Sequence, residues 1–278
     1  MSNLNYLNLG CGNKFHKDWV NVDMVSNSPY VKSYNLLKGL PFPNDQFDVI
    51  YHSHVLEHFP KEKAPDFIRE CFRVLKPGGI MRVVVPDLEN IVNEYVKHLN
   101  ENTENTSRQS EANYDWILLE MYDQTVRNYS GGQMAEFLKQ SELVNEGYVL
   151  GRSGYLGKSI RNNYMAQEDG KQGVYNLIKA AQRLGTKKVI SNILRKLSYV
   201  LFSSEKKIGA FRLSGEIHMW MYDRFSLSRL LRKVGFENIE IKRPYESDIH
   251  QWDKYELDVK NGAVFDPTSL FMESKKPR

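Results

Sequence analysis

Four short apolar runs punctuate the first ninety residues. Tyr6–Leu9 is bounded by Gly10 and Gly12, Trp19–Val22 ends in Asp23, Phe47–Tyr51 follows Pro41-Phe42-Pro43-Asn44-Asp45, and Ile80–Val85 lies between Pro77-Gly78-Gly79 and Pro86. Each has the length of a strand and turn residues on both sides. Runs that are apolar on successive residues suit a sheet covered on both faces. Between the last two runs, Phe67, Cys71, Val74 and Leu75 recur at helical spacing, and Lys76 with Pro77-Gly78-Gly79 closes that helix. Strands alternating with a helix predict a parallel α/β sheet. The alternation resumes near the C-terminus. Leu227, Leu230, Leu231 and Val234 form a helical stripe ended by Gly235, Ile239 and Ile241 alternate with charged residues as a strand, and Leu270-Phe271-Met272 reads as a final strand.

The middle of the chain has another character. Residues 100–113 are polar apart from Ala112 and read as a loop. Residues 114–146 and 172–202 read as helical, split by a glycine-bearing stretch, 147–173. The pattern therefore predicts one sheet domain from residues 1–96 and 225–278, with a mostly helical insertion, 97–224, between two sheet elements. Long insertions of this kind form lids or substrate platforms, so acceptor contacts are expected from it.

Composition narrows the picture. With 278 residues, 41% of them hydrophobic, the chain can bury a sizeable core. A net charge of +4 is mildly basic and does not of itself call for nucleic acid. Cys11 and Cys71, far apart, form neither a disulfide framework nor a cysteine metal cluster, which fits a reducing cytoplasm. Residues 1–9 lack the basic start and apolar stretch of a signal peptide, and no run reaches the roughly 18 to 20 apolar residues that span a bilayer. A cytoplasmic location without an integral membrane segment is expected. Between 179 and 207 eight Lys and Arg face a single acid, Glu205, and Ile190, Ile193, Leu194, Leu197, Val200 and Leu201 form a helical stripe. That segment reads either as a core-packed helix with a solvated basic face or as a peripheral contact with a membrane surface.

Candidate chemistry starts at Leu9-Gly10-Cys11-Gly12. In an open parallel sheet the ligand crevice lies at the carboxyl ends of the strands, and glycines there let backbone amides approach a ligand. Asp23 ends the second strand, where a carboxylate can accept hydrogen bonds from both hydroxyls of a ribose. Asn35-Leu36 forms the third element, and the amide of Asn35 can pair with the edge of an adenine.

These segments, with Pro41-Phe42 before Phe47-Asp48-Val49-Ile50, with Ser53-His54-Val55-Leu56-Glu57-His58 and with Arg73-Val74-Leu75-Lys76-Pro77-Gly78-Gly79, resemble class I S-adenosylmethionine-dependent methyltransferases of the type 11 group. Gly215-Glu216-Ile217-His218-Met219-Trp220-Met221-Tyr222-Asp223 and Ser226-Leu227-Ser228-Arg229-Leu230-Leu231 resemble a bacterial subfamily associated with surface-glycan synthesis. The resemblance covers about 1–96 and 215–278. It implies a Rossmann-like sheet with helices on both faces, and S-adenosylmethionine as cofactor. The contacts it implies are Leu9, Gly10, Cys11, Gly12, Asp23, Met24, Asn35, Leu36 and Ser53. The sequence departs from the pattern twice. Only ten residues separate Gly12 from Asp23, where a full βαβ unit places its acid about 20 residues on, so the first helix is absent or a single turn. Asn35 stands where many relatives have aspartate. A dinucleotide is disfavoured, because no third glycine and no long helix N-terminus are available for a pyrophosphate.

Transfer of a methyl group to a hydroxyl needs a base, and His54, Asp87 and His218 are the candidates. His54 directly follows a strand at the crevice, and on a helical turn from Ser53 it would share a face with His58. Asp87 ends a strand in Val85-Pro86-Asp87 and reads equally as a helix cap. His54-Val55-Leu56-Glu57-His58 also matches the inverted zinc-protease pattern. That pattern needs a long helix and a further ligand, and Pro60 ends the segment, so no metal is expected. Adenine amino-methylation and cytosine C5-methylation signatures are missing, which argues against a nucleic-acid partner. The expected reaction is O-methylation of a sugar or glycan-related intermediate. The alternatives are an N- or other small-molecule methyltransferase, or a nucleoside-binding module without catalysis.

Overall fold

The structure is a computed structural model that describes residues 5–26, 28–168 and 204–278. The chain divides into two compact units, one of Met1–Lys97 with His218–Arg278 and one of His98–Ile217. His218 and the residues after it thus belong with the sheet, where the sequence suggested the insertion.

The first unit holds a seven-stranded sheet. Strands β1 (Tyr6–Leu9), β2 (Val20–Asp23), β3 (Val31–Ser33), β4 (Phe47–Ser53), β5 (Leu75–Pro86), β6 (Glu237–Lys242) and β9 (Ser269–Lys275) lie in the order β3-β2-β1-β4-β5-β9-β6. The first five pair in parallel, and β9 runs antiparallel to both of its neighbours. Strand order reverses between β1 and β4, which makes the carboxyl ends of those two strands the binding crevice of such a sheet. A small hairpin, β7 (Val259–Lys260) with β8 (Ala263–Val264), precedes β9.

Two helices explain one face. In α1 (Ala64–Val74), Phe67, Ile68, Cys71 and Val74 are buried, and in α7 (Arg224–Val234) Leu227 and Leu231 are buried. They pack with Leu7, Val83 and Met272 in the main core. Asp223 and Ser226 form a capping box at the start of α7, and Gly235 at φ 115° closes it, a conformation that glycine adopts without strain.

The other face is built differently. Among the described residues no helix links β1 to β2, as the short spacing predicted, and Gly12–Trp19 forms turns. Aromatic side chains cover the exposed strands instead. Trp19 and Tyr51 meet Tyr255 and Trp252, with ring centroids 5.1 Å apart for Trp19–Tyr255 and 5.2 Å for Tyr51–Trp252. Arg82, fully buried, joins this layer through Asp258 and Glu273, each 2.7 Å away, and lies 4.9 Å from the ring of Trp252.

Several local expectations change. Pro77-Gly78-Gly79 does not separate helix from strand. β5 starts at Leu75, and these residues form an irregularity between the pairs Phe47–Leu75 and Val49–Ile80, with Gly78 at φ 77°. The third strand is Val31–Ser33 rather than Asn35-Leu36, and its lysine and serine hid it from a hydrophobic count. In the second unit, residues 100–113 are not a loop. They carry the end of α2 (Leu88–Glu104), the Ser107–Ser110 capping box and the start of α3 (Arg108–Val126). Polar side chains there cap and solvate helix ends instead of breaking them. The glycine-bearing stretch after 146 is also helical, as α5 (Glu146–Glu168), and Gly154 absorbs a kink at φ 58°, ψ −140°. α4 (Gly132–Phe137) and α6 (Ser204–Arg212) are the other helices among the described residues of this unit, where Trp116, Leu138, Leu143 and Val149 form a small core. Most of the basic segment 179–207, and all of the predicted helix 172–202, lies outside the described residues. No described helix is long and apolar enough to cross a membrane.

Candidate active site

The glycine loop is shaped by backbone geometry. Gly10 and Gly12 have φ of 62° and 52°, in the left-handed region. The Gly10 amide donates to the carbonyl of Val22 at 2.8 Å, stitching the loop to β2. A Cβ on Gly10 would lie 2.3 Å from Val55, so the position is also crowded. At Gly12 a Cβ would meet nothing within 4 Å, so this side of the loop opens on space that a ligand can fill. The Gly12 amide donates to Asp23 Oδ2 at 2.8 Å, and the Val25 amide to Oδ1 at 3.2 Å. Asp23 therefore holds the loop, and each of its oxygens keeps acceptor capacity for a hydroxyl.

The remaining expected cofactor contacts divide in two. Leu9 and Cys11 are buried, so Leu9 has only its backbone to offer a ligand, and burial together with Asp23 pushes the Cys11 thiol up to about 12. Met24 is 49% exposed beside Asp23. The Asn35 side-chain oxygen accepts from the Leu37 amide at 2.9 Å, which leaves its NH2 group to donate elsewhere, and Leu36 packs on the main core. Ser53, at the end of β4, lies 3.4 Å from Lys14 Nζ.

Beyond Ser53 a second group gathers. His54 adopts φ 53°, unusual for a residue with a Cβ, and Leu56–His58 forms a 3-10 turn, so no helical face joins His54 to His58. His54 Nε2 lies 3.0 Å from Ser269 Oγ and 3.6 Å from Asp266 Oδ2, while Nδ1 is 3.1 Å from Glu57 Oε1. Lys14 Nζ pairs with Asp266 at 2.7 Å. Burial opposes charge on His54, but Asp266 and Glu57 outweigh it and raise its pKa above the ordinary value. Burial likewise opposes the Glu57 carboxylate, yet His54, His218 and His58 hold it at about 2. His52, buried and lacking a charged contact of that strength, is driven down to about 4 and stays neutral.

His218 joins this group from the far side of the insertion. The amides of Met219 and Trp220 donate to the Glu57 carbonyl at 2.7 and 3.2 Å, which ties its segment to the turn. Its ring lies 4.9 Å from that of His58, and ligand atoms of Glu57, His58 and His218 all fall within 4.8 Å of one another, close enough to hold a metal ion. Asp87 is engaged otherwise. It accepts from the Glu89 amide at 3.0 Å as the cap of α2, and burial raises its pKa. Lys14, Asp266 and Ser269 escaped the sequence reading. Lys14 directly follows the glycine loop and could have been suspected. Asp266 and Ser269 flank an apolar strand and gave no signal.

Residues 17–83 match the methyltransferase domain family. A probable S-adenosylmethionine-dependent methyltransferase of Mycolicibacterium smegmatis is 41% identical over 51 residues, 18% of this chain and 19% of that protein. The Rossmann-like unit is thus similar to that of class I S-adenosylmethionine-dependent methyltransferases. The ubiquinone/menaquinone biosynthesis C-methyltransferase UbiE of Vibrio parahaemolyticus is 40% identical over 83 residues, 27% of this chain and 30% of that protein. Matches to these two relatives thus span less than a third of their lengths. Among solved structures, a SAM dependent methyltransferase from Archaeoglobus fulgidus aligns with a TM-score of 0.38 and 11% identity over 98% of this chain and 86% of that one. S-adenosylmethionine is the cofactor of this methyltransferase family, and the open side of Gly12, the Asp23 carboxylate and the Asn35 amide fit a nucleoside.

Proposed function

We propose that this chain transfers a methyl group from S-adenosylmethionine to a hydroxyl of a sugar or glycan-related acceptor, with His54 removing the hydroxyl proton. The cofactor supplies a methyl group already activated on a sulfonium, so alignment of the acceptor provides much of the rate. The Gly12 amide and Asp23 hold the loop for the ribose, and Asn35 offers a donor to the adenine.

The observation that carries the hydroxyl reading is the seat of His54. Its Nε2 already holds a hydroxyl, that of Ser269, at 3.0 Å, and its Nδ1 faces a buried carboxylate at 3.1 Å. A carboxylate at Nδ1 favours the proton on that nitrogen, and above the pKa that Asp266 and Glu57 raise, the ring is neutral with Nε2 left to accept. His218 and Asp87 suit the role less, because His218 is buried against Glu57 and Asp87 caps α2. The C-methylation named for the UbiE relatives rests on proteins matched over 30% of their length.

Calorimetry with the demethylated cofactor tests the first half. Binding should be measurable, and Asp23→Ala should weaken it by about 1.5 to 3 kcal/mol, the range for hydrogen bonds to a charged group. Unchanged affinity would place the ribose elsewhere. A product screen tests the second half, and a methylated amine or carbon in the natural product would overturn the hydroxyl assignment alone.

A further inference from the structure

We propose that Glu57, His58 and His218 form a binding site for a divalent ion of the zinc class. Glu57 has no exposed surface; its Oε1 lies 3.1 Å from His54 Nδ1, and its Oε2 has no hydrogen-bond partner among the described residues. The contact with His54 at 3.1 Å is an ion pair at Oε1 only. A buried carboxylate normally accepts several hydrogen bonds, because the cost of losing water is otherwise unmet. The imidazoles around Glu57 offset its charge, and an ion at Oε2 would supply the partner that this oxygen lacks.

The other two donors are held where such an ion needs them. The Glu57 carbonyl takes both the Met219 and the Trp220 amides, so the residue before them, His218, is tied to the same peptide that carries Glu57. Lys61 Nζ, 4.0 Å from the Trp220 ring, fixes that segment from the side. His218 Nε2 then lies 4.0 Å from Glu57 Oε1. Metal bonds of about 2.0–2.2 Å need the donors to close in by modest side-chain rotation. His58 is half-buried and provides the approach from solvent. Two imidazoles and one carboxylate suit zinc, iron(II) or manganese rather than the all-oxygen sites of calcium or magnesium. His54, on the same carboxylate, would stand behind the ligands and orient Glu57.

Three protein ligands leave a coordination position open. An acceptor oxygen is the natural occupant, a role that rests on the hydroxyl-acceptor reading above, whereas the binding of the ion does not.

The experiment uses the full chain, stripped with a chelator and titrated with Zn2+, with Co2+ as the spectroscopic probe. One ion per chain should bind, with a visible ligand-field band for Co2+. His58→Ala and His218→Ala should each weaken binding more than tenfold and change that band. His250→Ala, at an exposed site elsewhere, should leave both unchanged. His58 is half-buried, so its variant keeps the test decisive if His218→Ala fails to fold. Binding of the demethylated cofactor, measured in parallel, reports separately on the methyltransferase reading. Absence of saturable 1:1 binding to the wild-type chain, or equal binding by His58→Ala, would overturn the site.

Discussion

The glycine loop and the histidine cluster lie at the carboxyl ends of neighbouring strands and are built in opposite ways. The loop is made of backbone. Gly10, Gly12 and Asp23 lie within fourteen residues of one another, and their geometry follows from two positive φ angles and one short-range carboxylate contact. The cluster is made of side chains from separate elements: Glu57 and His58 from a 3-10 turn, His218 from beyond the insertion, Asp266 from the approach to β9 and Ser269 from its first position. A backbone site tolerates changes in the rest of the chain but not in its glycines. A side-chain site depends on every element that carries a member.

Substitutions at the two ends should separate these modes. The largest effect is expected at Gly10→Ala. The left-handed φ costs about 1–3 kcal/mol for a residue with a Cβ. Overpacking against Val55, 2.3 Å away, costs about 1–3 kcal/mol more. Urea denaturation should show the sum, and a loss below 1 kcal/mol would mean that the loop yields where it was taken to be rigid. At the other end, His54→Ala should lower turnover about a hundredfold or more while cofactor affinity barely changes, since a general base contributes about 10²–10⁴. Full activity on a hydroxyl acceptor would move the base to Asp87 or His218.

Asp266 offers a gentler probe of the cluster. Burial raises its pKa, but His54 and Lys14 overcome that and hold it below the ordinary 3.8. A depressed folded value gives stability above the unfolded pKa and loses it as pH falls through the folded one. Asp266→Asn should therefore be less stable than wild type at neutral pH, and the two should converge in acid, below about pH 4. Curves that stay parallel well below pH 4, through the folded pKa, would show that Asp266 gains nothing from its cationic neighbours. The smallest effect is expected at Gly12→Ala. Only the backbone angle opposes it, with no neighbour within 4 Å, so about 1 kcal/mol of stability should be lost. A loss as large as at Gly10 would erase the distinction between a crowded glycine and an open one.

The faces of the sheet show the same contrast in the fold. The helical stripes of α1 and α7 were legible because a period of 3.6 and a closing glycine are local signals, carried by Phe67, Cys71, Leu227, Leu231 and Gly235. The missing first helix was legible from the ten residues between Gly12 and Asp23. What replaced it was not. Trp252, Tyr255 and Asp258, which pairs with Arg82 of β5, cover the bare strands from a segment with no periodicity of its own. The errors inside the second unit have a related cause, because Ser107 and Gly154 read as breakers until the helices around them are seen to use one as a cap and the other as a kink.

By itself the sequence determined what depends on near neighbours along the chain: the strand runs, the two amphipathic helices, the glycine turn with its acid, and hence the Rossmann-like class of the sheet. Only the tertiary structure decided which side chains share the crevice. The positions of Glu57 and His218, or of His54 and Asp266, are set by strand pairing and by single backbone hydrogen bonds such as Met219 to Glu57. No local pattern records those distances, because the interactions that create them form only when distant segments have already been brought together.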